Sequence, residues 1–398
     1  MSAARDRSME VPESVVRLGR PSLVVGVVAT AALFATAFVW PEQFFRSWLV
    51  GFVFWAWITI GSIGVLSLQY LTGGTWGVLM RRPLEAAART TPLLALLFVP
   101  LLFGLHSIYE WTHENVVAGD EILRQKAAYL NVPFFIGRTA FYLLCWTLLG
   151  WLLNRWARTW ESTGSPGYAL RLRSLSAGAL LLLVLTGTFA SVDWMMSLEP
   201  HWFSTMYGIS FVVGSVLSAF AFGTVIVERL SRHEPVSRVV EPIQFRDFGN
   251  LQLAFVMLWA YTAFSQFMLI WYGNIAEETP WYLRRMEGGW GMVAGLLIVF
   301  HFFLPFTLLL MRGIKDRPRF LAMTSGLILL MRGLDAIWLI APAFHDSLAL
   351  LWLSPLAIVA LGGLWLAVYF WQLGRNTALP AREPHVERML GNEAISHG

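Results

Sequence analysis

The stretch SVDWMMSLEPHWFSTMYG, residues 191–208, lies between two long apolar runs, about 172–193 and 205–228. It carries Asp193, Glu199, His201, Trp194 and Trp202. An apolar run of about 20 residues is long enough to cross roughly 30 Å of hydrocarbon at about 1.5 Å per residue. A short polar stretch between two such runs marks a loop that turns the chain back across a membrane.

The same alternation runs along the whole sequence. Ten apolar spans are read at about 19–39, 48–71, 92–110, 131–154, 172–193, 205–228, 248–271, 289–312, 319–341 and 349–373. The chain is 57% hydrophobic and only 14% charged, against about 25% charged residues in soluble domains. Runs this long and this uniformly apolar do not alternate as barrel strands must, so the spans read as helices. The expected fold is an all-α polytopic membrane protein. It divides into an N-terminal segment (1–18), a ten-helix membrane domain (19–373) and a polar tail (374–398). The first apolar run is too long for a signal-peptide core and ends in Val39-Trp40-Pro41-Glu42, so no cleavable leader is expected.

An even number of spans puts both termini on one side. Of the 29 Lys and Arg residues, 22 fall on that side, 5 on the other, and Arg138 and Arg332 lie inside spans. This asymmetry predicts cytoplasmic termini. The pI near 9.4 follows from the same topology, and no nucleic-acid surface is needed to explain it. The single cysteine, Cys145, lies inside the fourth span. Covalent haem, a cysteine-ligated cluster and a disulfide are excluded on that count.

With that orientation, residues 191–208 form an outer loop. Two further outer loops, 111–131 and 272–290, are also rich in acids, Trp and Tyr, and the outer loops together hold 11 of the 25 acidic residues. Aromatic anchors with solvated acids would give this pattern. A docking surface for a redox-active partner, with some acids releasing protons, would give it too.

Polar groups inside spans say more, because an unpaired charge at the bilayer centre costs at least ~2.5 kcal/mol. His106 and Glu110 lie near the outer end of span three, Arg138 early in span four, Gln266 near the outer end of span seven, His301 in span eight, and Arg332 with Asp335 in span nine. The i, i+3 spacing of Arg332 and Asp335 lets them pair on one helix face. That pair is either a self-neutralised structural bridge or a protonatable acid held by its arginine. All but His301 fall in the outer half, which suggests a quinone head-group pocket or half of a proton path. Bis-histidine haem is disfavoured: His106 and His301 differ in depth by roughly 10 Å.

Several longer motifs carry a resemblance. They are YLNVPFFIGR (129–138), VDWMMSLEPHWFSTMYG (192–208), LWAYTAFSQFMLIWYGNIAEETPWYLRR (258–285), GGWGMV (288–293), HFFLPF (301–306) and MRGLDAIWLIAPAF (331–344). In this order they resemble the smaller NrfD/PsrC-like membrane subunits of bacterial alternative complex III, the ActF family, over about residues 40–375. Ala276 departs from that pattern, which has proline there. The resemblance implies two four-helix bundles, spans 2–5 and 6–9, plus two peripheral helices. It implies a place in a quinol-oxidising respiratory or photosynthetic complex of the bacterial inner membrane. The partners would be a larger NrfD-like subunit, haem c subunits and an iron–sulfur subunit, with menaquinone or another quinone as the diffusible cofactor. A proton-conducting role would fall on His106, Glu110, Asp193, Glu199, His201, His301 and Asp335, with Arg138, Gln266 and Arg332 as polar support; no metal ligand is implied. Two other readings stand beside it: the quinone-binding subunit of a molybdoenzyme-type oxidoreductase, and a secondary transporter. The transporter reading lacks the matched, interrupted helices it would call for.

Overall fold

The computed structural model describes residues 9–349 and 351–380. Among them ten helices are long and apolar enough to cross a membrane: α1 (Glu13–Ala37), α2 (Pro41–Thr72), α3 (Trp76–Phe103), α4 (Val132–Thr163), α5 (Pro166–Leu198), α6 (Met206–Ser231), α7 (Pro242–Gly273), α8 (Trp290–Leu310), α9 (Pro318–Ala343) and α10 (Leu353–Leu373). The chain is an all-α polytopic membrane protein. Both described ends lie on one face, called here the terminal face.

Local chemistry sets the helix ends. Proline stands in the first turn of α2, α4, α5, α7 and α9, where its missing N–H costs nothing. Gly164 and Asn274 close α4 and α7 in the left-handed conformation, which frees the chain to turn.

Helices α2 to α5 pack as one bundle and α6 to α9 as a second. Between them lies α2, whose most apolar window is entirely buried. It packs on α3 and α5 on one side and on α6 on the other. A Cβ on Gly61 would sit 1.9 Å from the Ser215 carbonyl oxygen, so the α2–α6 seam exists because residue 61 has no side chain. Close backbone approach of this kind drives helix association where lipid removes the hydrophobic incentive. The remaining helices, α1 and α10, pair with each other and lean on α2. Their contact is a glycine crossing, because a Cβ on Gly363 would meet Gly26 Cα at 2.3 Å.

The third span differs from its sequence reading. It was expected over 92–110 and instead covers Trp76–Phe103. At its start, Arg81, Arg82 and Glu85 are buried and mutually paired, so charges that look like a loop belong to a helix. Its far end comes early because Gly104 is pressed against Phe45; a Cβ there would be 2.2 Å from the ring. His106 and Glu110 therefore lie past the end of this helix rather than in its last turns, and both are exposed.

Candidate functional site

Asp193 was expected in a loop. It sits in the last turn of the helix Pro166–Trp194, with no exposure at all. The arginine of YLNVPFFIGR explains its place. Arg138 on α4 donates from Nε to Asp193 Oδ2 at 2.9 Å and from Nη2 to Oδ1 at 2.8 Å. The Tyr142 hydroxyl donates to Oδ2 at 2.8 Å. The guanidinium also donates to the Tyr129 carbonyl at 2.9 Å and lies against the Tyr129 and Phe134 rings. A fork-on-fork pair with a third hydrogen bond from Tyr142 is the geometry that lets a buried ion pair persist. This cluster clamps α4 to α5 near the face opposite the termini.

The loop after Asp193 bridges the two bundles on that face. His201 Nε2 pairs with Asp120 at 2.6 Å, and Lys126 Nζ donates to the Pro200 carbonyl at 2.5 Å. Asp120 also caps the short helix Glu121–Lys126. The Leu123 N–H, and then His201, hold its carboxyl below the usual carboxylate range. Glu199 turns the other way. Its two oxygens accept from Arg284 at 3.1 Å and Arg285 at 2.7 Å. Arg285 is only 1% exposed. It lies 3.5 Å over the Trp281 ring and donates to the Leu339 carbonyl at 3.0 Å. Burial pulls the guanidinium below its ordinary value, and Glu199 opposes that shift. Trp202 stacks on Trp281 at 4.6 Å, which seals this roof.

Below the roof, α6, α7, α8 and α9 enclose a cavity of about 730 Å³. It is mainly aromatic and apolar, and Arg285, Gln266, Tyr207, Arg332 and Asp335 reach its wall. Helix α7 packs on the α8 segments Ile298–Phe303 and Leu304–Leu310, and residues of α7 and α8 form one wall of the cavity. Tyr261, Phe264, Ile298 and Phe303 line it and are also exposed on the apolar outside. A ligand-sized space of this kind is ordinarily about 300–1,000 Å³.

The predicted Arg332–Asp335 pair is formed, with both residues buried. Trp259 Nε1 donates to Asp335 Oδ2 at 3.2 Å, and Arg332 uses the same oxygen, which leaves Oδ1 to the cavity. Arg332 also donates to Ser218 at 3.3 Å and lies 3.9 Å over the Trp57 ring. Gly214 makes the room: a Cβ there would be 2.3 Å from Arg332 Nη2. His301 is fully buried with neither ring nitrogen hydrogen-bonded. Its ring lies tilted against Trp259 at 4.1 Å, within a π-helical segment, Ile298–Phe303. Such segments occur frequently at functional sites.

These groups extend into a stripe along α9. Near the terminal face Lys315 donates to Asn250 at 2.7 Å. One level in, Ser325 donates to Gln252, and Gln252 to Thr224, at 2.8 and 2.9 Å. Seven residues on, about 10 Å at helical rise, come Arg332 and Asp335. Arg285 at Leu339 completes the series. Gln266 sits beside the roof, accepting from Ser204 at 3.2 Å.

The sequence-predicted residues thus divide into three groups. Asp335, Arg332, His301 and Gln266 belong to the second bundle and its cavity. Asp193 and Arg138 close the first bundle. Glu199 joins the cavity roof, while His201, His106 and Glu110 lie at the surface; the His106 ring is tilted against His113 at 5.4 Å. Sequence reasoning counted Arg285 only as a loop charge, although Trp281 four residues earlier offered it a ring. It also placed Arg81, Arg82, Glu85 and Glu161 in loops. The i, i+3 and i, i+4 spacing of Arg-Arg-x-x-Glu was the signal that could have moved the first three into a helix. No family model matches the chain, and no curated protein matches it.

Proposed function

We infer that the chain is an integral-membrane subunit of a quinol-oxidising electron-transfer complex, of the ActF kind in alternative complex III, and that it carries protons there. In this reading its membrane is the bacterial inner membrane and its terminal face is cytoplasmic. A larger NrfD-like partner holds the main quinol site, and haem c and iron–sulfur subunits carry the electrons. The observation that carries the reading is the Arg332–Asp335 pair, buried on the cavity wall within the polar stripe of α9. Ionisable side chains at such depth are costly and are kept for ion or proton pathways. Asp335 supplies a carboxylate with one oxygen outside its bond to Arg332, and His301 stands one ring away with neither nitrogen hydrogen-bonded.

Asp335→Asn in the assembled complex tests this. Proton translocation per electron should fall severalfold with subunit content unchanged. Unaltered coupling in an intact complex would contradict the reading.

One observation favours a second reading, in which this chain also binds quinone. The cavity opens sideways to the apolar exterior and offers Asp335, Tyr207 and Gln266 to a carbonyl or hydroxyl head group. These residues fit that group, with the aromatic walls around it. A quinone when bound would supply two-electron redox chemistry; the chain's part is to orient the head and hold a proton at Asp335. An azido-quinone label on α7 or α9 would support it, and a label confined to the larger partner would count against it.

A further inference from the structure

A second buried ionic cluster lies at the terminal face of the first bundle, far from the cavity. Arg82 donates to Glu85 at 2.7 Å and to Glu161 at 2.6 Å. Arg81 faces both acids, at 3.8 and 3.9 Å, and its Nε donates to the Tyr70 hydroxyl at 3.2 Å. Tyr70 in turn donates to Glu85 at 3.1 Å. Arg89 completes the set and bonds Asn154 at 2.8 Å. Arg81, Arg82, Glu85 and Glu161 are all at most 9% exposed.

The two acids are held unequally. Glu85 is fully buried and has partners on both oxygens. Glu161 hydrogen-bonds only through Oε2; its Oε1 is buried without a hydrogen bond, 3.9 Å from Arg81 Nη1, and Arg82 Nε is buried without an acceptor. An orphan acceptor and an orphan donor in one polar cluster are the partners a buried water bridges. Glu161 is thus the acid with an oxygen to spare for a proton.

A strap of the chain covers this cluster. After α10, residues 374–380 run across it. Arg82 donates to Thr377 Oγ1 at 3.1 Å, and Arg89 donates through both terminal nitrogens to Asn376 Oδ1 at 3.3 Å. Ala378 N donates to the Met9 carbonyl at 2.7 Å, and Leu379 is fully buried. The segments around Met9 and Ala378 therefore meet beside this cluster, with Thr377 on the same Arg82 that holds Glu161.

We propose that Glu161 is a proton-loading site at the terminal face, and that the strap carrying Asn376 and Thr377 is its cover. This rests on the proton-carrying reading. The uptake point is in the first bundle, on α4, whose buried stripe continues through Asn154 and Trp146 to Tyr142 beside Asp193. The charged and titratable groups facing Glu161 are Arg81, Arg82 and Glu85, with Tyr70 and Arg89 behind them. A proton arriving at Glu161 Oε1 leaves the Oε2 bond to Arg82 in place and faces Arg81 Nη1 at 3.9 Å. Lifting the strap removes the bonds to Thr377 and Asn376 and admits water.

The test is carbodiimide labelling of the intact complex, read by peptide mass spectrometry. An apolar carbodiimide reacts with protonated carboxyls that it can reach. In the Asn376→Ala/Thr377→Ala variant, Glu161 should be labelled at least tenfold faster than in the wild type, with the thermal transition retained. Equal labelling rates in the folded variant would overturn the cover. Glu161→Gln should lower proton uptake severalfold. Uptake insensitive to Glu161→Gln but still lowered by Asp335→Asn would overturn Glu161 as the loading group and leave the proton-carrying reading in place. Labelling needs no turnover, so it decides the cover even in a complex that moves no protons.

Discussion

Arg138 and Asp193 show what a buried charge demands of its surroundings. Removing one partner leaves the other uncompensated, at a cost of about 3–5 kcal/mol, whereas replacing both with apolar residues is often neutral. Arg138→Gln should therefore lower the unfolding free energy by about that amount, and Arg138→Leu/Asp193→Leu should recover most of it. Thermal unfolding in mild detergent measures both, and a single variant no worse than the double would contradict the account. His345 offers a pH test outside the spans. Burial, and then the Arg46 charge, hold its imidazole below the usual value, and it bonds Gln43. A depressed histidine stabilises the fold while neutral. Its contribution is present above an unfolded value of about 6.5 and is lost as pH falls through the lower folded value. Stability should drop as pH falls below about 6.5, and His345→Gln should flatten that slope. At this scale the sequence was partly legible. Arg332 and Asp335 declared their pairing by spacing, but Asp193 could not reveal that its partner lay 55 residues away. Nor could Arg285 reveal that a loop would bury it.

Among the elements, glycine positions decide how the helices meet. Gly61→Val should abolish assembly of the two bundles, because the Ser215 backbone occupies the space. Gly137→Val should be tolerated, since nothing lies within 4 Å of its Cβ position. Folded yield by size-exclusion chromatography checks the contrast, and comparable yields would refute the α2–α6 seam. Eight of the spans were readable to within about two turns at each end, because hydrocarbon thickness fixes how long an apolar run must be; the fourth began where expected but runs on to Thr163. The third was misplaced by four turns at its start. Arg81, Arg82, Glu85 and Arg89 cancel its hydropathy, and only tertiary pairing makes that stretch helical and buried. Helix packing was not legible from the residues themselves, because a helix apolar all round gives no face to orient by; the division into spans 2–5 and 6–9 came from the resemblance alone. Gln266, Arg332 and Asp335 suggested a head-group pocket, but the aromatic walls that α6, α7, α8 and α9 give it could not be foreseen.

For the whole molecule, the arrangement is of two bundles with unlike interiors joined at α2. The first is clamped by Arg138–Asp193 at one end and by the ionic cluster under the strap at the other. The second carries the stripe of α9 and an open cavity. In the proposed reading this asymmetry separates proton uptake under the strap from proton holding at Asp335. The reading makes the chain one part of a larger redox assembly, and that is its central claim. The direct measurement is purification of the native assembly through this chain in mild detergent, with haem staining, metal analysis and mass spectrometry of the copurifying chains. The account predicts haem c, iron–sulfur and a second, larger NrfD-like chain in fixed ratio. A molybdopterin partner in their place, or a lone colourless chain with activity of its own, would contradict it.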